Sequence, residues 1–174
     1  MPDSFTQALA LWHDFYMLLG SAVAALLGLL FVSVSLHLDS LTEPVQLLAY
    51  ETFNHFVALL FISLVCLIPD LPPGWFGAAL LLLGVAGCLR QVWTSRRSER
   101  AQKGLVLPTP WRREVFPLLA YALLVGLGLW YLAGLPSQLG VLVAVDLLLL
   151  SQAALRAWEM LLYLGTTKGT PSAE

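Results

Sequence analysis

Five long apolar stretches alternate with short polar or proline-rich segments along the chain. Each stretch is close to or above the roughly 20 residues with which an α-helix crosses the hydrocarbon core of a bilayer. The pattern therefore predicts an all-α, integral membrane helical bundle with about five transmembrane helices in one domain, residues 1–174. The predicted spans are residues 15–38, 46–68, 75–93, 111–133 and 139–164.

Residues that start or stop helices stand at the ends of these spans. Glu43-Pro44 and Thr109-Pro110 each place a proline in a first helical turn, where its missing N–H is tolerated. The Pro69 to Gly74 segment cannot remain helical and separates the second span from the third. We expect one substantial basic loop at residues 94–109. Residues 4–14 are amphipathic and are expected to lie along the membrane surface.

The composition agrees with a membrane location. Only 11% of the residues are charged and 59% are hydrophobic, and the mean hydropathy is +0.80, whereas soluble domains are about 25% charged. The formal net charge of -2 gives no basic surface for nucleic acid. Cys66 and Cys88 lack metal-ligand spacing and lie at depths more than about 10 Å apart by helix rise, so we expect two unpaired thiols.

The basic residues predict how the chain is oriented. The positive-inside rule places the loop between the third and fourth spans in the cytoplasm, so the N-terminus is outside and the C-terminus cytoplasmic. Few lysines and many Leu, Ala, Gly and Arg residues favour a bacterial source, hence the inner (plasma) membrane. Seven of the 9 cations cluster at or near that loop: Arg90, Arg96, Arg97, Arg100, Lys103, Arg112 and Arg113.

Asp146 is the most informative single residue. It lies about seven residues into the fifth span, hence roughly 10 Å below the outer surface. The predicted topology supplies no Lys or Arg in the outer half, and His13 is the one titratable cationic side chain there. Two interpretations remain open: a packed aspartate hydrogen-bonded to Ser21 or Tyr131, and a carboxyl that handles a cation or proton at a wet cavity.

A second polar group is predicted near the inner end of the second span. Spacings of three and four place Glu51, Asn54 and His55 on one helical face, where Glu51 can accept a hydrogen bond from His55. The fifth span carries a matching stripe at the same depth, and we expect the two faces to meet. Its members are Gln152, Arg156, Glu159 and Tyr163.

Three functions are open for these facing stripes. The first is an ion-pair and hydrogen-bond network that fixes helix packing. The second is a proton relay or inner gate, and the third is a metal site, for which one Glu-x-x-x-His pair is a weak signal. The relay would use Glu51, His55, Arg156 and Glu159. The same ionisable residues in the fifth span leave a second topology open, with four full spans and a half-inserted fifth.

Acidic residues mark the outer face, where Asp14 follows His13 at the mouth of the first span. They can concentrate cations, or they can follow simply from the exclusion of cations by the positive-inside rule. Small residues at four-residue spacing allow close helix packing or homo-oligomer formation. This stripe consists of Gly20, Ala24 and Gly28, and the third and fourth spans carry further small packing residues at Gly84, Cys88, Gly126 and Gly128.

Enzyme signatures are missing from the sequence. No nucleophile elbow, zinc-protease, phosphate-loop or dinucleotide motif occurs, so we expect no enzyme, no catalytic residues, no metal ligands and no cofactor. An intramembrane hydrolase using Ser33 or Ser35 with His37 or His55 is the enzymatic alternative.

Three segments resemble the sequences of other small membrane proteins. They are the segment from Trp12 to Leu36, the run from Thr52 to Asp70, and Ala157-Trp158-Glu159. Together they are similar to small bacterial multi-pass inner-membrane proteins, and they cover about a third of the chain. The resemblance implies a membrane location and no particular activity.

The sequence thus favours an oligomeric cation or proton channel or a transporter-like module in the lipid bilayer. The alternative is a non-transporting scaffold or accessory subunit in which the buried polar groups fix helix packing. No protein partner is identified by the sequence. The candidate pathway residues are Asp14, Asp146, Glu51, His55, Arg156 and Glu159.

Overall fold

The structure is a computed structural model that describes residues 4–36, 43–101, 110–135 and 138–167. The regular structure in this part of the chain is entirely α-helical, which confirms the predicted all-α bundle. Five of the helices, α2 to α6, contain segments long and apolar enough to cross a membrane. The helices are α1 Ser4–Leu11, α2 His13–Leu36, α3 Glu43–Cys66, α4 Pro73–Ala101, α5 Pro110–Leu132 and α6 Leu139–Thr167.

Helices α3 to α6 form a ring in which neighbours along the chain run antiparallel. α3 packs against α4 and α6, and α5 packs against the same two helices. α2 lies outside the ring against α3, with only 11% of its span buried, whereas 56% of the α3 span is buried. Consequently, α3 is the central helix and α2 exposes most of its surface to lipid.

The short helix α1 covers one end of the ring. Its Phe5 side chain packs edge-on against Phe76 of α4 and Tyr131 of α5, with ring centroids 5.3 and 5.5 Å apart. Phe5 and Leu9 are buried. The predicted amphipathic segment is therefore helical, and its apolar face packs on α4 and α5.

Glycines produce the closest helix contact, between α4 and α5. A Cβ atom on Gly128 would lie 2.6 Å from the Leu81 backbone nitrogen, and one on Gly84 would lie 2.8 Å from the Val125 backbone nitrogen. Backbone atoms cannot move aside as a flexible side chain can. The structure confirms the packing role expected for Gly84 and Gly128, whereas that expected for Gly126 is wrong, because this residue faces open space.

We expect Gly128→Ala to lower the free energy of unfolding by about 1–3 kcal/mol, because the added methyl group forces the α4 and α5 backbones apart. Gly126→Ala is the matched control on the same helix, and it should be neutral or slightly stabilising since alanine favours the helix. Thermal unfolding of both variants in detergent measures the difference. Equal midpoints for the two variants would contradict the close contact.

The helices end near the turn residues that the sequence predicts, except that α4 is longer than predicted. Asp70, with φ 52°, and Gly134, with φ 70°, adopt the left-handed conformation after α3 and α5. α4 continues to Ala101 through residues that the prediction assigned to the loop 94–109, because charge alone does not end a helix and residues 88–103 contain no Gly or Pro. The rest of that loop, residues 102–109, lies outside the described residues, as do residues 37–42 and 168–174.

Candidate functional site

A buried acidic group lies where α2, α3 and α6 meet, close to the end covered by α1. It consists of Tyr16, Cys66 and Asp146, which we call the Asp146 cluster. Asp146 and Tyr16 are fully buried and Cys66 is 3% exposed. The carboxyl group faces the Tyr16 phenol and lies within electrostatic range of the Cys66 thiol. The Tyr16 hydroxyl is placed to donate to the Asp146 carboxyl group, and in the described part of the chain no Lys, Arg or His side chain forms an ion pair with that group.

The structure corrects the predicted surroundings of Asp146. The Ser21 hydroxyl donates to the Met17 carbonyl at 2.8 Å on an exposed face. The Tyr131 hydroxyl accepts a hydrogen bond from the Gln138 backbone N–H at 3.1 Å. Both predicted partners are therefore engaged elsewhere, and Tyr16 and Cys66 take their place.

The exposed pair at the start of α2 is separate from this cluster. His13 Nδ1 lies 3.4 Å from the Asp14 carboxylate, and the Asp14 side chain is 96% exposed. Asp14 can therefore act only at the surface. Among the described residues, no cation compensates Asp146 inside the bundle.

An isolated carboxylate is very costly in hydrocarbon, whereas a neutral carboxylic acid costs much less. A proton or another small cation bound at Asp146 removes the uncompensated charge. When the proton leaves, the Tyr16 O–H can donate to the carboxylate, and the Cys66 thiol lies beside Tyr16. The Asp146 cluster can thus bind and release one positive charge within the membrane.

A second group of polar side chains lies about ten residues further along α6. It consists of Glu51, Asn54, His55, Arg90, Tyr121 and Arg156, and we call it the Glu51 cluster. Arg156 forms a buried ion pair with the Glu51 carboxylate. The expected meeting of the α3 and α6 polar faces is therefore confirmed. Glu159, one turn beyond, also interacts electrostatically with Arg156.

His55 is placed differently from the prediction. Its Nδ1 lies 2.6 Å from the Glu51 backbone carbonyl, which can only accept, so Nδ1 carries the proton. The predicted hydrogen bond to the Glu51 carboxylate is wrong, because that carboxylate is directed towards Arg156. His55 Nε2 is buried and has no hydrogen-bond partner in the described chain. The imidazole stacks on Tyr121, with centroids 5.9 Å apart and planes at 28°.

Arg90 belongs to this cluster, although the sequence placed it only among the basic residues near the loop. One guanidinium nitrogen donates to Asn54 Oδ1 at 3.1 Å, and Nε is buried without a partner in the described residues. Tyr121 was also missed. Its one sequence signal is Gly87, where a Cβ atom would lie 2.2 Å from the Tyr121 ring, so that this glycine makes room for the aromatic side chain.

An apolar layer separates the two clusters. The buried residues between them are Leu59, Ile62, Leu149 and Ala153, and the Ser63 hydroxyl donates to the Leu59 carbonyl. Ten residues of α6 correspond to about 15 Å of helix rise. The candidate residues that the sequence grouped into one pathway therefore occupy two depths of the bundle.

These features define a multi-pass, α-helical membrane protein that holds ionisable side chains inside its bundle. Among the described residues, no group of three or more His, Cys, Asp and Glu residues is arranged to hold a metal ion. No protein-family model, curated protein or solved structure matches the chain. What the protein does is therefore inferred from its own side chains.

Proposed function

We propose that the protein is a small proton or cation channel or a transporter-like module in which Asp146 is the ion-binding group. The observation that supports this proposal is that no Lys, Arg or His side chain of the described chain balances the fully buried Asp146 carboxyl group. A residue that only fixes helix packing gains stability from its partners. A buried carboxyl group without a balancing cation costs free energy instead. Side chains that lower stability in this way are expected at functional sites.

In this proposal, the two clusters have different tasks. Asp146 binds the proton or cation, and Tyr16 supplies a hydrogen bond that its charged form needs, with Cys66 beside Tyr16. Glu51, Arg156 and His55 form the gate at the opposite depth, with Glu159 next to Arg156. Transport requires a rearrangement that hydrates the apolar layer around Leu59 and Leu149, because an ion does not cross packed hydrocarbon.

The proposed setting is a bacterial inner membrane, with the basic ends of α4 and α5 in the cytoplasm. Asp14 then lies at the outer mouth, where its charge attracts cations. Gly20 packs against Ser63 of α3, with a Cβ position 3.2 Å from the Ser63 Cβ. Ala24 and Gly28 remain exposed, and we propose them as the contact between copies in a homo-oligomer.

Ion flux into reconstituted liposomes tests the proposal. Protein-containing vesicles should pass protons or a small cation such as Na⁺ or K⁺ faster than empty vesicles. Asp146→Asn should reduce the flux to background, and Glu51→Gln should change its rate, both compared at equal amounts of folded protein. Gly126→Ala serves as the control for substitution in the bundle. Background flux for the wild type and all variants would rule out transport.

A non-transporting scaffold or accessory subunit is the second candidate function. Two observations favour it. The Glu51–Arg156 ion pair forms within the chain and holds α3 against α6, and the apolar layer separates the two polar clusters. A scaffold predicts that Asp146→Asn lowers stability or assembly without a separate ion phenotype. Co-purification from native membranes of a partner that is lost together with assembly in Asp146→Asn would support this candidate.

A further inference from the structure

A partly exposed seam between α3 and α4 lies near the basic end of the bundle, where Asn54 contacts Arg90 and Tyr50 contacts Trp93. Its floor is formed by Asn54 and Arg90, which are both half-buried, and its rim by Tyr50 and Trp93. We call these four residues the α3–α4 groove. The guanidinium group of Arg90 is hydrogen-bonded to the neutral Asn54 amide, and no carboxylate of the described chain pairs with it. Its Nε–H donor is buried without a partner there.

An arginine in this state has donors left for an anion. Guanidinium groups bind phosphate through two parallel N–H donors, and the hydrogen bond to Asn54 fixes the orientation of the group. The neutral amide cannot balance its charge. A phosphate bound beside the guanidinium group would supply the balancing charge.

The rim places the groove at the depth of lipid headgroups. Tyr50 and Trp93 pack edge-on with centroids 6.4 Å apart, and they are 43% and 49% exposed. Aromatic residues with a polar edge concentrate at the membrane interface. Towards the bilayer centre, Phe61 lies seven residues beyond Asn54 on the same face of α3 and is 51% exposed, and Leu89 is exposed beside Arg90. Phosphate donors therefore adjoin an apolar surface that suits an acyl chain.

We propose that the α3–α4 groove binds the phosphate headgroup of an anionic phospholipid, with Arg90 as the phosphate-binding residue. Arg96, which is exposed two turns further along α4, strengthens the local positive potential without contacting the phosphate. This site shares Asn54 and Arg90 with the Glu51 cluster and no residue with the Asp146 cluster, so its test is separate from that of the ion-binding role proposed for Asp146.

Lipid titration of the full chain in detergent tests the site. We expect phosphatidylglycerol to bind about tenfold more tightly than phosphatidylcholine and to raise the unfolding temperature by about 5 °C at saturation. Arg90→Gln should remove this preference by weakening phosphatidylglycerol binding about tenfold. Arg96→Gln, the matched control on the same helix, should retain the preference.

Additional measurements keep the proposal testable if Arg90→Gln does not fold. Trp93→Ala alters an exposed rim residue and should weaken phosphatidylglycerol binding without changing the fold. Equal binding of the two lipids by the wild type would overturn the site, as would a folded Arg90→Gln that keeps the preference. Inorganic phosphate that raises the unfolding temperature as much as the lipid does would show a free-anion site and contradict the lipid assignment.

Discussion

Arg156→Gln is expected to destabilise the protein by about 3–5 kcal/mol, because it leaves the Glu51 carboxylate buried without its cation. Both members of the pair lie inside the bundle, where water cannot screen a remaining charge. Glu51→Gln should have a smaller effect, because Arg156 retains its interaction with Glu159. Unfolding of the purified variants in detergent or bicelles, monitored by circular dichroism, provides the measurement.

The double variant separates the cost of an unpaired charge from the value of the pair itself. Glu51→Gln combined with Arg156→Gln removes both charges, and much of the lost stability should return. Arg96→Gln, at an exposed position of α4, is the control and should behave like the wild type. Single variants that are as stable as this control would show that the ion pair is not buried.

Asp146→Asn should abolish ion transport and leave the free energy of unfolding within about 1 kcal/mol of the wild type. Asparagine has nearly the same shape as aspartate, its amide oxygen can still accept a hydrogen bond from the Tyr16 hydroxyl, and Asp146 has no ion pair in the described chain to lose. A packing role predicts the opposite result, a loss of stability. The two functions are therefore distinguished by one variant and two measurements.

A destabilising substitution close to Asp146 shows whether the unfolding measurement can detect a loss of packing at this depth. Leu149 is fully buried one turn further along α6, and Leu149→Ala should cost about 2–5 kcal/mol through the cavity that it leaves. If Asp146→Asn lowers stability as much as Leu149→Ala does, Asp146 is held by interactions that fix the bundle, and the scaffold becomes the better account.

The sequence could predict those features that depend on helix periodicity and length. Five apolar stretches predicted five spans, and polar residues three or four apart predicted that the Glu51 face of α3 would meet the Arg156 face of α6. Both follow from the 3.6-residue turn of a helix, which determines the side-chain face whatever the rest of the fold does.

The sequence could not predict contacts that depend on which helices become neighbours. Tyr16 faces Asp146 because the start of α2 packs where α3 and α6 meet, and nothing near Tyr16 in the sequence indicates this. His55 bonds the Glu51 carbonyl because the ion pair with Arg156 has already engaged the carboxylate. Arg90 lies within the predicted third span, but its charge grouped it with the basic residues near the loop, and its contact with Asn54 depends on the packing of α3 against α4.

The bundle thus contains one buried carboxylate that is paired with a cation, Glu51, and one that is not, Asp146. Glu51 and Arg156 neutralise each other, so this pair can remain fixed without exchanging an ion with its surroundings. Asp146 has no such cation in the described chain, and its charge can be balanced by an ion that arrives and leaves. This difference is the physical basis for proposing Asp146, rather than Glu51, as the ion-binding residue.

Proton flux through liposomes with an imposed pH gradient tests the role of Asp146 most directly. Wild type, Asp146→Asn and Asp146→Glu are compared at equal amounts of folded protein. The proposal predicts flux above that of empty vesicles for the wild type, background flux for Asp146→Asn, and partial flux for Asp146→Glu, which retains a carboxyl group. Wild-type flux in Asp146→Asn would contradict the proposed role of this carboxyl group.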